Sequence, residues 1–198
     1  MIVQEAARLM YEENVQQFLS AKKLAARRIL GKDIKHLPSN GEISDALYQL
    51  SQFKDANVHQ EKLYFMRIKA IEIMEQLQPF RPRLIGSVST GRIRQGSDID
   101  LHVFCDHIED LESYLNALGW RYETEQVSIQ SNNRFKEYQH IYLDFEFPVE
   151  LSVYPQDEYK ITNRSSTDGK PIKRLNLKKV HQLILDEHWE IHLKLGNN

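Results

Sequence analysis

Cysteine is almost missing from this chain: among 198 residues there is one, Cys105. A disulfide within the chain is thereby excluded, as is a zinc site with four cysteine ligands. Net charge is nearly missing too. Lys and Arg number 26 against 28 Asp and Glu, a formal charge of −2 at pH 7. That balance gives no global pull toward nucleic acid or an anionic membrane, and it argues against a small basic protein that coats DNA or RNA. No apolar run approaches the roughly 20 residues a membrane span needs. Met1-Ile2-Val3-Gln4-Glu5 holds no basic segment leading into an apolar one, so no secretory leader is expected there and the expected compartment is the cytoplasm. Internal repeats and low-complexity stretches are absent as well. What remains is an ordinary globular composition, 41% hydrophobic and 27% charged, at a length suited to one domain or one domain with an appendage.

Hydrophobic periodicity divides the chain near Pro79 and Pro82. Before that point it predicts helices. A first helix is expected over about 3–30, ended by Gly31. A second is expected to about residue 53, opened by a capping box in which Ser39 and Glu42 stand three apart. A third is expected over about 61–77, with Leu63, Met66, Ala70, Ile73 and Leu77 on one face. After it the period changes. Strands are expected at 83–85, 98–105, about 121–128, 139–147 and 149–154, with a helix at 107–118 and a closing helix at 175–195. Residues 156–170 read as a polar loop. The prediction is an α+β fold: an N-terminal helical region, 1–78, followed by a mixed-sheet domain with flanking helices, 79–198.

The stretch Leu84-Ile85-Gly86-Ser87-Val88-Ser89-Thr90-Gly91-Arg92-Ile93-Arg94-Gln95-Gly96-Ser97-Asp98-Ile99-Asp100-Leu101 carries the chemistry. It reads as a strand, a Gly-Ser turn, a short helical piece and a second strand with two carboxylates. Gly86 has no Cβ, so a phosphate can come close to its backbone. Ser87 adds a hydroxyl, and the amides after it open a helix whose N–H groups favour an anion. Asp98 and Asp100 are two apart on a strand, so both point to one face and form an oxygen-rich site suited to Mg²⁺. Two such ions about 4 Å apart can clamp an in-line phosphoryl displacement.

This run resembles the nucleotidyltransferase superfamily related to DNA polymerase beta. Its members show a Gly-Ser, a glycine four residues after that serine, and an acid-x-acid strand, here Gly86, Ser87, Gly91, Asp98 and Asp100. The five residues between Gly91 and Ser97, and the run Ser97-Asp98-Ile99-Asp100-Leu101, look most like the minimal and antibiotic nucleotidyltransferases. The likeness spans about 80–155 and leaves 1–78 unexplained. It implies a third acid on a neighbouring strand. Asp144, Glu146 and Glu150 share one parity, and Glu150, in Val149-Glu150-Leu151-Ser152-Val153, is the favoured one. The resemblance further implies Mg²⁺ or Mn²⁺ as cofactor, an NTP (ATP first) as donor, and a hydroxyl of a small molecule or protein as acceptor. The expected ligands of metal are Asp98, Asp100 and Glu150. Gly86, Ser87, Arg92, Arg94, Ser97, Lys170 and Lys173 are expected at the nucleotide, with Arg174 a further candidate.

Charge distribution agrees with a mixed-sign site. Eight acids and one base lie in 97–126, seven bases and one acid in 159–179, and six bases and one acid in 20–36. His102 is expected to face solvent, Cys105 to be a small buried hydrophobe, and the strand tyrosines to pack. Two other readings compete with the transferase. One is a catalytically weak module on the same fold, antitoxin-like or regulatory, docking a protein partner or a second copy through its N-terminal helices. The other is an RNA nucleotidyltransferase, for which the basic stretch 22–35 would supply phosphate contacts.

Overall fold

The computed structural model describes residues 1–131, 134–162, 164 and 169–196, and its side chains apart from those of 52–57, 129–131, 134, 135 and 196. It forms two compact units. One comprises Met1–Gln60, Arg92–Gly96 and Arg164–Pro171; the other comprises Glu61–Gly91, Ser97–Asn163 and Ile172–Asn198.

In the first unit, α1 (Ile2–Glu12) and α2 (Phe18–Leu30) stand where one helix is expected. The break is local. Glu13 caps α1, Asn14 turns to φ 54°, a left-handed angle that asparagine tolerates, and the Val15 amide bonds back to the Leu9 carbonyl at 3.3 Å. Ala6, Ala7, Ala21 and Ala25 are fully buried, and with Leu9, Met10, Ile43, Ala46 and Leu47 they form this unit's core. The capping box forms as expected: the Ser39 amide donates to Glu42 Oε2 at 2.8 Å and the Glu42 amide to Ser39 Oγ at 3.1 Å. The helix it opens, α3 (Asn40–Gln76), does not stop near residue 53 but runs on through the expected gap. Its first half buries Ile43, Ala46 and Leu47 in the core just described. Its last half buries Leu63, Met66, Ala70, Ile73 and Leu77 in the second unit, as the stripe predicts.

The second unit holds a five-stranded mixed sheet in the order β1-β2-β5-β4-β3, with β1 (Arg83–Leu84), β2 (Ile99–Phe104), β3 (Tyr122–Ser131), β4 (Arg134–Leu143) and β5 (Val149–Tyr154). Only β2 and β5 run parallel; every other pair is antiparallel. The expected α+β class and mixed sheet are therefore observed. Helices α4 (Gly86–Thr90), α5 (Ile108–Ala117), α6 (Leu177–Glu187) and α7 (Trp189–Gly196) complete the unit. The expected closing helix is broken at His188, which caps α6 with its side chain buried. Strand alternation puts Ile99, Leu101, Val103, Ile141, Leu143, Val149, Leu151 and Val153 into the core. Cys105 is buried, as expected. No helix among the described residues is long and apolar enough to cross a membrane.

Candidate active site

The opposite face of the sheet holds the polar residues, and the register fixes their rows. Asp100 pairs with Glu150, and Glu150 with Tyr142; two residues along, His102 pairs with Ser152, and Ser152 with His140. The far end of this face is closed. Phe104 meets Tyr159 with ring centroids 5.0 Å apart, and the Arg174 guanidinium lies over Phe104 while Nη1 donates to the Ile161 carbonyl at 2.6 Å. At the near end Asp98, Asp100 and Glu150, all half-buried, bring one carboxylate oxygen each within 4.8 Å of one another.

Asp98 and Asp100 thus share a face as the strand period predicts, and Glu150 joins them because β5 lies beside β2 in parallel register. Asp144 and Glu146 do not. β4 ends at Leu143, so both fall in the exposed bend before β5, where strand parity has no meaning.

Gly86 sits directly against this cluster. Its φ is +66°, and a Cβ there would lie 1.9 Å from Asp100 Oδ2. The Ile85 amide donates to the Asp100 carbonyl at 3.0 Å, which locks the Gly-Ser turn to β2. Gly86 begins α4 with Ser87 next to it, and Gly91 ends the helix in the left-handed region. The two motif glycines therefore answer different demands: Gly86 a close approach, Gly91 a helix cap. With five residues α4 is too short for a sizeable macrodipole, so what it offers an anion is its local N–H groups and the Ser87 hydroxyl.

The electrostatics suit a cation. Burial, with Asp98 and Glu150 nearby, raises the Asp100 carboxyl from its ordinary 3.8 to about 8. Three convergent carboxylates are hard oxygen donors of the kind that Mg²⁺ and Mn²⁺ take, and the room left by Gly86 accommodates the Asp100 head. The residues present fit such an ion.

Two histidines on this face play parts that sequence reasoning missed. His102 is buried rather than solvated. Its Nδ1 accepts from Arg174 Nε at 2.9 Å, and burial with that guanidinium lowers its pKa to about 3, so the ring is neutral. His140 Nδ1 lies 2.8 Å from Glu150 Oε1, with only 12% of its side chain exposed, and its other nitrogen is buried without a partner. The Nδ1–H donates to Glu150 and fixes the carboxylate's orientation. The signal for His140 was its strand parity with Tyr142, but parity alone does not single out a histidine. Outer contacts of this kind are worth about 10–100-fold in metal affinity. His140→Leu is accordingly expected to weaken Mn²⁺ binding about tenfold by titration calorimetry. His140→Asn, whose amide can replace Nδ1–H, should recover most of the loss. Equal affinities in the two variants would remove the orienting role.

The basic candidates are dispersed. Arg92 pairs with Asp45 and lies over the Tyr48 ring, and Arg94 donates to the Gln16 carbonyl at 3.4 Å and lies over Phe18, all within the first unit. Lys170 is exposed in that same unit, and the neighbouring 165–168 fall outside the described residues. Lys173 is exposed and Ser97 buried in the second unit. Arg174 is committed to His102 and to backbone carbonyls.

No protein-family model matches the chain, and no curated protein matches it. Solved structures similar to part of it include a chain of the "structure of GLD-2/RNP-8 complex", at 16% identity and a TM-score of 0.31, over 52% of this chain and 49% of that one. Another belongs to "Structural Basis for the Activity of a Cytoplasmic RNA Terminal U-transferase", at 18% identity and a TM-score of 0.27, over 58% of this chain and 34% of that one. The chain thus covers about half and about a third of those two chains. Likenesses this distant assign neither substrate nor activity.

Proposed function

We propose that this protein is a metal-dependent nucleotidyltransferase of the polymerase beta-like type, moving an NMP from an NTP to a hydroxyl of a small molecule or protein. The observation that carries the reading is the convergence of Asp98, Asp100 and Glu150 beside the Gly86-Ser87 turn. Those three carboxylates would hold the divalent ion. Bound there, Mg²⁺ or Mn²⁺ supplies charge neutralisation of the triphosphate and of the leaving pyrophosphate.

The chain's own groups do the rest. Ser87 and the backbone at Gly86 bind the phosphates and set the α-phosphorus over the carboxylates. Lys173 is proposed to neutralise the outer phosphates and Ser97 to contact the nucleotide, whereas Arg92, Arg94 and Lys170 belong to the first unit. The acceptor oxygen forms a bond to the α-phosphorus as the bond to pyrophosphate breaks, and the hydroxyl proton passes to a Glu150 carboxylate oxygen. ATP is the first donor to test. The N-terminal region, 1–78, is proposed to make a protein contact. An intact acid cluster favours this reading over a catalytically weak module.

The test is transfer of label from α-labelled ATP in the presence of Mg²⁺, with candidate acceptors fractionated from cell extract. Asp98→Asn should lower transfer on the order of 10³-fold, as expected for several kcal/mol of lost charge stabilisation. Unchanged transfer by that variant would sink the assignment.

A further inference from the structure

One charged side chain in the second unit is buried completely. Arg67, on α3, has 0% exposure. An arginine in an apolar interior is strongly unfavourable unless its donors are paired, so its partners identify what it holds. Nε donates to the Val88 carbonyl at 3.1 Å, and Nη1 donates to Glu187 Oε2 at 2.6 Å and to His188 Nε2 at 2.9 Å. His188 is suited to accept, because burial and the adjacent guanidinium lower its pKa to about 4 and keep the ring neutral. Its Nδ1 is buried without a hydrogen-bond partner, and the Tyr64 ring packs edge-on against it with centroids 5.7 Å apart. A Cβ at Gly91 would meet Arg67 Nη2 at 3.6 Å, so the guanidinium lies directly beneath the end of α4.

A five-residue helix is not stable by itself and leaves its last carbonyls without intrahelical donors. α4 is held at its start by Gly86 packed on Asp100 and by the amide of Ile85 on the Asp100 carbonyl. At its end the Val88 carbonyl receives a charged donor, the favourable sign for a helix C-terminus. We propose that Arg67 is a positioning residue for nucleotide binding: by clamping the end of α4 from α3 and from the α6–α7 junction, it sets the Gly86-Ser87 turn at the height over the carboxylates that a triphosphate requires. The proposal rests on the phosphate-binding reading of that turn. It does not place Arg67 in contact with substrate.

A merely structural arginine would, when removed, damage metal and nucleotide binding together. A positioning arginine separates them, because strand pairing, which Arg67 does not touch, holds Asp100 and Glu150. The experiment measures Mn²⁺ alone by electron paramagnetic resonance, and α,β-methylene-ATP with Mn²⁺ by calorimetry, on folded full-length protein. Arg67→Met should bind Mn²⁺ within about twofold of the parent and the nucleotide about 10- to 100-fold more weakly, the scale of an ångström-sized misplacement. Arg67→Lys keeps a buried charge but not the fork of donors, and it serves if the methionine variant does not fold; it should lose at least about fivefold in nucleotide affinity with Mn²⁺ unchanged. Nucleotide affinity at the parent level in a folded variant overturns the proposal, and so does parallel loss of both ligands. Parent protein that takes Mn²⁺ but no nucleotide overturns instead the phosphate-binding reading of the turn.

Discussion

Asp100→Asn is expected to reduce Mn²⁺ affinity by at least about 100-fold while making the metal-free protein more stable at pH 8. Both effects follow from one carboxyl. In the folded, metal-free chain Asp100 keeps its proton up to about pH 8, because it is desolvated and faces Asp98 and Glu150; in the unfolded chain it loses that proton near its ordinary 3.8. Between those values the folded state carries the extra proton. The Asp100 contribution to stability therefore falls as pH rises from about 4 to about 8, whereas buried neutral His102 and His188 raise stability up to about pH 6.5 in parent and variant alike. Each unit of such a shift corresponds to about 1.4 kcal/mol, so the decline reaches several kcal/mol. Asparagine cannot ionise, so the melting temperature of Asp100→Asn should gain steadily on that of the parent from pH 5 to pH 8. A metal ion stabilises the ionised form, so Mn²⁺ should protect the parent protein most at pH 8 and release a proton on binding. A metal-free melting-temperature difference between Asp100→Asn and the parent that does not grow from pH 5 to pH 8 would contradict this account.

Gly86→Ala is expected to be nearly as damaging, by a different route. The residue must keep φ at +66°, which costs about 1–2 kcal/mol for a side chain. Its Cβ would also fall 1.9 Å from Asp100 Oδ2, so the carboxylate must swing out of the cluster. Metal affinity should drop on the order of 100-fold, the strain and the displaced acid acting together. Coupling distinguishes the two contributions. In an Asp100→Ala background the carboxylate clash is gone, with a 3.2 Å approach to the Cβ of residue 100 left, and Gly86→Ala should then lower stability by little more than the backbone strain, measured by urea unfolding. Additive effects of the two substitutions would mean that the close approach is not what constrains Gly86.

How much of this was legible in the sequence depends on which residues carry two-sided burial. β2 and β5 were located to within a residue because each lies between two strands, and core residues alternate with polar ones along them. The expected start of β4 at Gln139 is where its pairing with β5 begins; residues 134–138 pair with β3 alone. Within that extension Lys136 and Glu137 are exposed and Tyr138 is half-buried, which produces no alternating signal. Helix joins were illegible for a related reason. Glu12 to Gln17 are acceptable helix residues, and only the left-handed turn at Asn14 separates α1 from α2. The break at His188 is likewise hidden within a continuing apolar stripe. Among site residues, Asp98 and Asp100 were readable from strand parity, whereas Glu150 shares its parity with Asp144 and Glu146 and was singled out only by the family resemblance. His140 and Arg67 were not, since their roles come from partners 10 and 21 residues away or more.

The placing of β5 between β2 and β4 has a consequence for how the protein is made. Chain order and sheet order disagree there: the strand that fills the middle of the sheet is the last of the five to leave the ribosome. Until it arrives, β2 and β4 have no partner along the edges they share with it, and closing the 50-residue span from Asp100 to Glu150 precedes any pairing reward. Asp98 and Asp100 are synthesised early but have no third acid to join until that insertion is complete. The acid cluster is therefore completed in one late event, and a nascent chain that stalls before Glu150 presents two raw strand edges and no such cluster.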